Sequence, residues 1–124
     1  MIPKFRAWLK EEKEMISVDS MEWYSGEFLG IGDRITFWKD ADEIEIMQST
    51  GLKDKNDVEI FEGDIVTASE YEFIGVGVVR YEDSLASFVV EFIDKELIEK
   101  PQFICQFREL EVIGNVHENK ELLE

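Results

Sequence analysis

Through most of this chain apolar side chains recur at every second position, a period that builds half-buried strands and rules out long amphipathic helices. Near the start, Phe5, Ala7 and Leu9 fall on one side of an alternating run. Lys10-Glu11-Glu12-Lys13-Glu14 makes a charged turn, and Met15-Ile16-Ser17-Val18-Asp19 returns as a second strand. That pattern predicts a hairpin with a loop of about five residues. A helix through 6–15 is the rival reading, and Pro3 with the β-rich flanks favours the hairpin.

Residues 20–45 interleave Trp23, Tyr24, Phe28, Leu29, Ile31, Ile35, Phe37 and Trp38 with Gly26, Gly30 and Gly32. They read as short strands with long connections. A further strand begins at Glu45-Ile46-Met47-Gln48, and turns are expected at Thr50-Gly51 and Asp54-Lys55-Asn56-Asp57. Val58 to Phe61 follows, then a Glu62-Gly63-Asp64 turn into Ile65-Val66-Thr67-Ala68. A long pair comes next, Phe73 to Tyr81 and Ser87 to Ile93, with Phe88, Val90 and Phe92 on one face. Gly75 and Gly77 alternate on its first arm and mark a bend or a close backbone approach. Asp94 to Lys100 is expected to form one helical turn, Leu110 to Val116 the last strand, and Glu118 to Glu124 a short helix or frayed tail. The resulting expectation is one mainly β domain: an antiparallel N-terminal hairpin and meander over about 1–50, a small SH3-like β-barrel over about 51–118 and a tail over 119–124, with the two parts packed as one unit.

With 124 residues and 44% apolar content the chain has material for one real core. Its charge is lopsided: 29 Asp and Glu against 13 Lys and Arg give a net charge of −16. Such a surface repels phosphates, so direct nucleic-acid or anionic-membrane binding is not expected. The acid is also evenly spread, with net −7 over 1–62 and −9 over 63–124. Mimicry of DNA needs it gathered. A monomer of this size offers roughly 430 Å² per net charge, against about 100 Å² for duplex DNA. No apolar run has the length of a membrane span, and a cytoplasmic location is the default expectation.

The chemistry-bearing residues are sparse. Cys105 is the single cysteine and His117 the single histidine, so one chain cannot assemble a zinc set of four nitrogen and sulfur ligands. Alternation through Phe103-Ile104-Cys105-Gln106-Phe107 places Cys105 on a face with two phenylalanines, as a buried structural thiol. His117 reads as a surface residue near the chain end. Asp54-Lys55-Asn56-Asp57 starts like an EF-hand loop but has Glu59 where the turn glycine belongs and Ile65 where the closing glutamate belongs. Asp40-Ala41-Asp42 fails at Ile44. Gly30-Ile31-Gly32 and Gly75-Val76-Gly77 lack the third glycine of a dinucleotide turn. No catalytic, cofactor-binding or metal-binding residue is assigned, and no cofactor is expected. The rings of Trp23, Tyr24, Phe28, Phe37 and Trp38 are the best candidate contact surface for a protein partner. Base rates favour their lying in the core instead.

Four segments in order carry a family resemblance: Lys4-Phe5-Arg6-Ala7-Trp8 with Lys13 and Met15; Ile46 to Asn56 running on to Glu59-Ile60-Phe61-Glu62-Gly63-Asp64-Ile65-Val66; Gly77-Val78-Val79-Arg80-Tyr81; and Leu110 to Asn119. Together they resemble the YopX family of small phage and prophage proteins over nearly the whole chain. The resemblance implies a β-rich protein of phage type working in a bacterial cytoplasm, and it implies no reaction. The family usually continues Asn56 with glycine, where this chain has Asp57. Leu9 stands where a polar residue is usual, and residues 20–45 match least. The shared motifs read as structural: Gly51, Gly63 and Gly114 as turn or bend glycines, and Asp64 as an acceptor for nearby backbone N–H groups.

Three functions remain in order. The first is a non-enzymatic accessory protein that binds itself or a host or phage protein. The second is an acidic decoy for a nucleic-acid-binding protein, and the third a carboxylate-dependent hydrolase, which needs two carboxyls in a cleft and one with a raised pKa.

Overall fold

The computed structural model describes residues 3–70, 73–94, 98 and 100–124. The chain is mainly β, without an α-helix among the described residues, and it divides into two compact units, Met1–Ser49 and Thr50–Glu124.

In the first unit β1 (Phe5–Leu9) pairs antiparallel with β2 (Glu14–Val18), with Ala7 opposite Ile16. The turn between them is closed by the Lys13 N–H donating to the Leu9 carbonyl at 2.8 Å, with Lys13 in left-handed geometry. The other side of β1 pairs with the first part of β6 (Ile44–Lys53), the strand that carries the boundary between the units. Residues directly opposite share a face, so Ala7, Leu9, Ile16, Val18, Ile44 and Ile46 line one side of this sheet. They form the core with Ile31, Met21 and Phe28. The last three belong to a second sheet, β3 (Met21–Tyr24), β4 (Glu27–Gly32) and β5 (Trp38–Asp40), in that order.

The 20–45 stretch is tighter than its composition predicts. Instead of a long connection, Ser25-Gly26 alone joins β3 to β4, with φ of 50° and 83°. These are the two positive angles of a type I′ turn, which matches the strand twist.

In the second unit, β7 (Glu59–Phe61) lies beside the end of β6. The expected turn at Thr50-Gly51 is instead a kink inside a continuing strand. Gly51 has φ of +80°, and the Thr50 hydroxyl spans the kink by donating to the Ile60 carbonyl at 2.8 Å and accepting from the Leu52 N–H at 3.1 Å. The remaining strands are β8 (Asp64–Glu70), β9 (Phe73–Glu82), β10 (Ser87–Phe92), β11 (Gln102–Phe103) and β12 (Glu109–Asn115), in a five-stranded antiparallel sheet of order β11-β10-β9-β8-β12. Its core gathers Ile60, Val66, Val79, Val90, Phe92 and Leu110. Gly75 and Gly77 are sites of close approach. A Cβ on Gly75 would lie 2.7 Å from the Phe92 ring, and one on Gly77 would lie 2.5 Å from the Val90 side chain. The predicted helical turn over Asp94–Lys100 includes Lys95, Glu96, Leu97 and Glu99, which lie outside the described residues.

The motifs behind the family resemblance are staples. Asp64 is buried and accepts the Phe61 N–H at 2.8 Å. Asn115 accepts from the His117 and Glu118 N–H groups, and its own N–H donates to Asn119 Oδ1, which a Cβ on Gly114 would displace. Asp57 holds the left-handed position with φ of 66°, its N–H donating to the Asp54 carbonyl at 3.0 Å. An L-residue there carries a conformational cost that glycine does not. Asp57→Gly is therefore expected to raise the thermal midpoint by roughly 2–3 °C, a shift that differential scanning calorimetry resolves.

Candidate functional site

A cleft of about 420 Å³ opens in the first unit, walled by Ile16 and Val18 of β2, by Ile31 of β4, and by Asp33, Thr36 and Phe37 of the β4–β5 loop. Each wall has a local cause. The loop is wound around Asp33, whose Oδ1 accepts the N–H groups of Ile35, Thr36 and Phe37 while Oδ2 accepts the Thr36 hydroxyl. Those donors hold the Asp33 carboxyl far below the usual carboxylate range, led by the Ile35 N–H and the Thr36 hydroxyl. Asp33 is therefore a loop staple with its acceptors committed. The far end of the cleft is tied by the Gly32 N–H donating to the Ser20 carbonyl at 3.1 Å.

The other side of β2 is an edge. Among the described residues β2 pairs with β1 alone and stands last in its sheet. Sheet edges present unpaired N–H and C=O groups, and proteins blunt them with bulges, short strands or covering segments. The other edges here show such devices. β3 carries a bulge at Glu22/Trp23, β5, β7 and β11 have three residues or fewer, and β12 has a bulge between Val112 and Gly114. β12 is also covered: its Val112 N–H donates to Asp54 Oδ2 and its Leu110 carbonyl accepts the Lys55 N–H. β2 has five regular residues, no proline and no bulge, and its Ile16 and Val18 lead into the apolar cleft.

The five rings read as one candidate surface are divided. Trp23 faces Phe28 at 5.2 Å near the β3–β4 turn, whereas Trp38 lies opposite Gly32, four residues along β4 and about 13 Å away at the rise of a strand. The expectation that all five are core is corrected for Trp23, at 59% exposure, and Tyr24, at 73%, which the two-residue turn sets at the end of the sheet, and for Phe37, at 38%, which sits in the loop wound around Asp33. Phe28 joins the core and Phe37 lines the cleft. Trp38 packs over Gly30, where a Cβ would come within 2.7 Å of the indole, and Arg34 stacks on it at 3.9 Å to the ring centroid. Glu22 grips the same guanidinium at 2.7 Å.

Cys105 is exposed, against the buried thiol expected from alternation. β11 ends at Phe103, and Ile104–Gln106 coils into a 3-10 turn that sends Ile104 inward in its place. Cys105 borders a second cleft of about 320 Å³ in the second unit with Lys53, Lys55 and Arg108. Both lysines have carboxylate neighbours, Asp57 at 3.5 Å from Lys53 and Glu111 at 3.6 Å from Lys55. His117 is half-buried in the Asn115 turn. The carboxylates of Asp40, Asp42 and Glu43 converge within 4.8 Å, and the local structure accounts for two of them: Asp40 and Glu43 cap the 3-10 turn over Ala41–Glu43, and Asp40 also accepts the Trp38 indole N–H. Glu12, beside Lys39, and Glu82, beside Arg80, are held below the ordinary carboxylate range by their hydrogen-bonded cations. In Asp54, burial pushes the carboxyl up, but three backbone N–H donors outweigh it and the net direction is down. A carboxyl held ionised is the reverse of a general acid.

No helix among the described residues is long and apolar enough to cross a membrane. A family model described as YopX protein matches residues 4–124. The crystal structure of protein EF1440 from Enterococcus faecalis is similar with a TM-score of 0.63 and 33% sequence identity, over 100% of this chain and 99% of that chain. No curated protein matches.

Proposed function

The chain belongs to the YopX protein family, and on that footing we propose that it is a non-catalytic binding protein that takes up an extended protein segment along β2. The observation that carries the reading is the unguarded β2 edge with a cleft of about 420 Å³ beside it. Strand addition gains affinity from main-chain hydrogen bonds and specificity from pockets that receive alternate side chains. An added strand places every second side chain on the face of Ile16 and Val18, at the mouth of the cleft. The proposal includes the phage accessory role and bacterial cytoplasmic setting implied by the family resemblance. It also includes the finer architecture, a small SH3-like barrel in the second unit, supported by the β8–β9–β10 meander and the Glu62-Gly63-Asp64 turn into β8.

The decoy reading rests on the net charge of −16. The interleaving of signs weighs against it, because Lys10, Arg34, Lys39, Lys53, Lys55 and Arg80 each sit against a carboxylate. The hydrolase reading is weakened by Asp33, Asp54, Glu12 and Glu82, all displaced toward the ionised form.

The test is a titration of isotope-labelled full-length protein with unstructured peptides of alternating apolar and polar residues. The expected amide shifts fall on Glu14–Val18 and on 31–37, and Phe37→Glu weakens binding at least about 10-fold by putting a charge at the cleft wall. Shifts confined to other strands would overturn the reading.

A further inference from the structure

We propose that the segment docking on β2 is β2 of a second copy of this chain, paired antiparallel about Ile16. This rests on the β2 reading above and names its partner. The argument is one of register and charge. A two-fold axis at Ile16 sets Ile16 opposite Ile16 of the second copy, Met15 opposite Ser17 and Glu14 opposite Val18, and it brings Lys13, at the end of the turn, beside Asp19 just past the facing strand. Directly opposed residues share a face. The two Ile16 side chains therefore meet on the cleft side, and Val18 of the second copy extends the same apolar floor. The pairing is isologous, the commonest symmetry for a homodimer.

Neighbouring registers are poorer. An axis at Met15 brings Glu11 of the turn toward Asp19, twice by symmetry, and an axis at Glu14 opposes Glu14 to its own copy once, so each register carries a like-charge approach. An axis at Ser17 moves Asp19 away from Lys13 and opposite Met15. The axis at Ile16 alone among these matches Lys13 with Asp19, and it does so twice by symmetry. Glu14 and Val18 frame the apolar centre without a charge clash. Five strand residues a side are few against the 20–30 of a standard interface, so the dimer is expected to be micromolar and concentration-dependent.

Sedimentation velocity on the full chain across a micromolar concentration series tests this. The wild type is expected to move from a mass of 14.5 kDa to twice that. Lys13→Glu and Asp19→Lys each turn two attractive pairs into two repulsive ones, and each is expected to weaken the dimer about 10- to 30-fold. Mixing these two variants restores association, because the mixed dimer has one native and one reversed pair. The doubly substituted K13E/D19K chain also associates within about 3-fold of wild type. Circular dichroism verifies that the variants fold. A wild type that stays monomeric throughout, or a dimer indifferent to both single charge reversals, would overturn the second-copy inference. If peptides still shift the β2 amides in that case, the strand-addition reading stands with another protein as occupant. If they do not, both fail.

Discussion

Asp54→Ala is expected to destabilise the second unit by about 3–4 kcal/mol, which lowers its thermal midpoint by roughly 10–15 °C. Asp54 is only 8% exposed, and its side chain closes two structures at once. Oδ1 accepts the Asn56 N–H at 2.8 Å and the Val58 N–H at 2.9 Å, which shapes the 54–58 turn. Oδ2 accepts the Val112 N–H at 2.9 Å, which ties that turn to the outer edge of β12. Each bond to an ionised acceptor contributes about 1.5–3 kcal/mol. Their loss is not additive, because the turn relaxes and water reaches the Asn56 and Val58 amides. The Val112 N–H is the one left costly, in a strand whose neighbouring carbonyl, on Leu110, is still engaged by Lys55.

The same residue confers acid sensitivity with a definite sign. Its folded pKa is lowered, since the three backbone donors outweigh desolvation. A group depressed on folding contributes stability that is complete above its ordinary unfolded pKa of about 3.9 and is lost as pH falls through the folded value. Wild-type stability therefore declines below about pH 5, and Asp54→Asn removes Asp54's share of that decline. The amide oxygen keeps part of the bonding at neutral pH, so Asn is milder than Ala. All three tryptophans, Trp8, Trp23 and Trp38, lie within Met1–Ser49. Indole fluorescence thus follows the first unit while far-UV circular dichroism follows both. A loss under about 1 kcal/mol for Asp54→Ala would mean that the turn holds without its carboxylate.

What was legible in the chain, and what was not, divides along physical lines. Period-two runs exposed most of the strands, because alternation survives wherever one face of a sheet is buried. The β1–β2 hairpin and the β9–β10 pair lie close to where that pattern puts them. The glycines at 75 and 77 were readable as a bend or a close approach, and the Phe92 ring and Val90 side chain lying against them decide for the close approach. Cys105 misled because alternation through 103–107 is equally compatible with a strand and with a single 3-10 turn, and only packing of Ile104 into the core chooses. The 20–45 segment misled because its aromatic richness obscured a local signal. Ser25-Gly26 between Trp23-Tyr24 and Phe28-Leu29 is a two-residue hairpin turn in its own right. The β2 edge could not be read at all. An edge is defined by which strands fail to pair, and pairing partners far apart in the chain leave no mark in one sequence.

Phe92→Ala is expected to cost about 4 kcal/mol, the range for truncating a buried phenylalanine, and its coupling to Gly75 makes the mechanism testable. Phe92 is 2% exposed and stands edge-to-face with Phe73 at 5.3 Å and with Phe107 at 5.7 Å. Its removal opens a cavity in the core of the second unit and breaks both ring contacts. Gly75→Ala acts on the same space from the other side. Its new methyl would lie 2.7–2.8 Å from the Phe92 ring and 2.9 Å from Phe73, so it is expected to destabilise by about 2 kcal/mol through overpacking. In the double variant the methyl occupies part of the volume the ring vacates. The combined loss then falls short of the sum by about 1–2 kcal/mol, the opposite of two independent injuries. Urea unfolding followed by far-UV circular dichroism gives all four corners of the cycle. Strict additivity would mean that Gly75 is required by backbone geometry alone. In that case the ring-over-glycine contact would not be what excludes a side chain there.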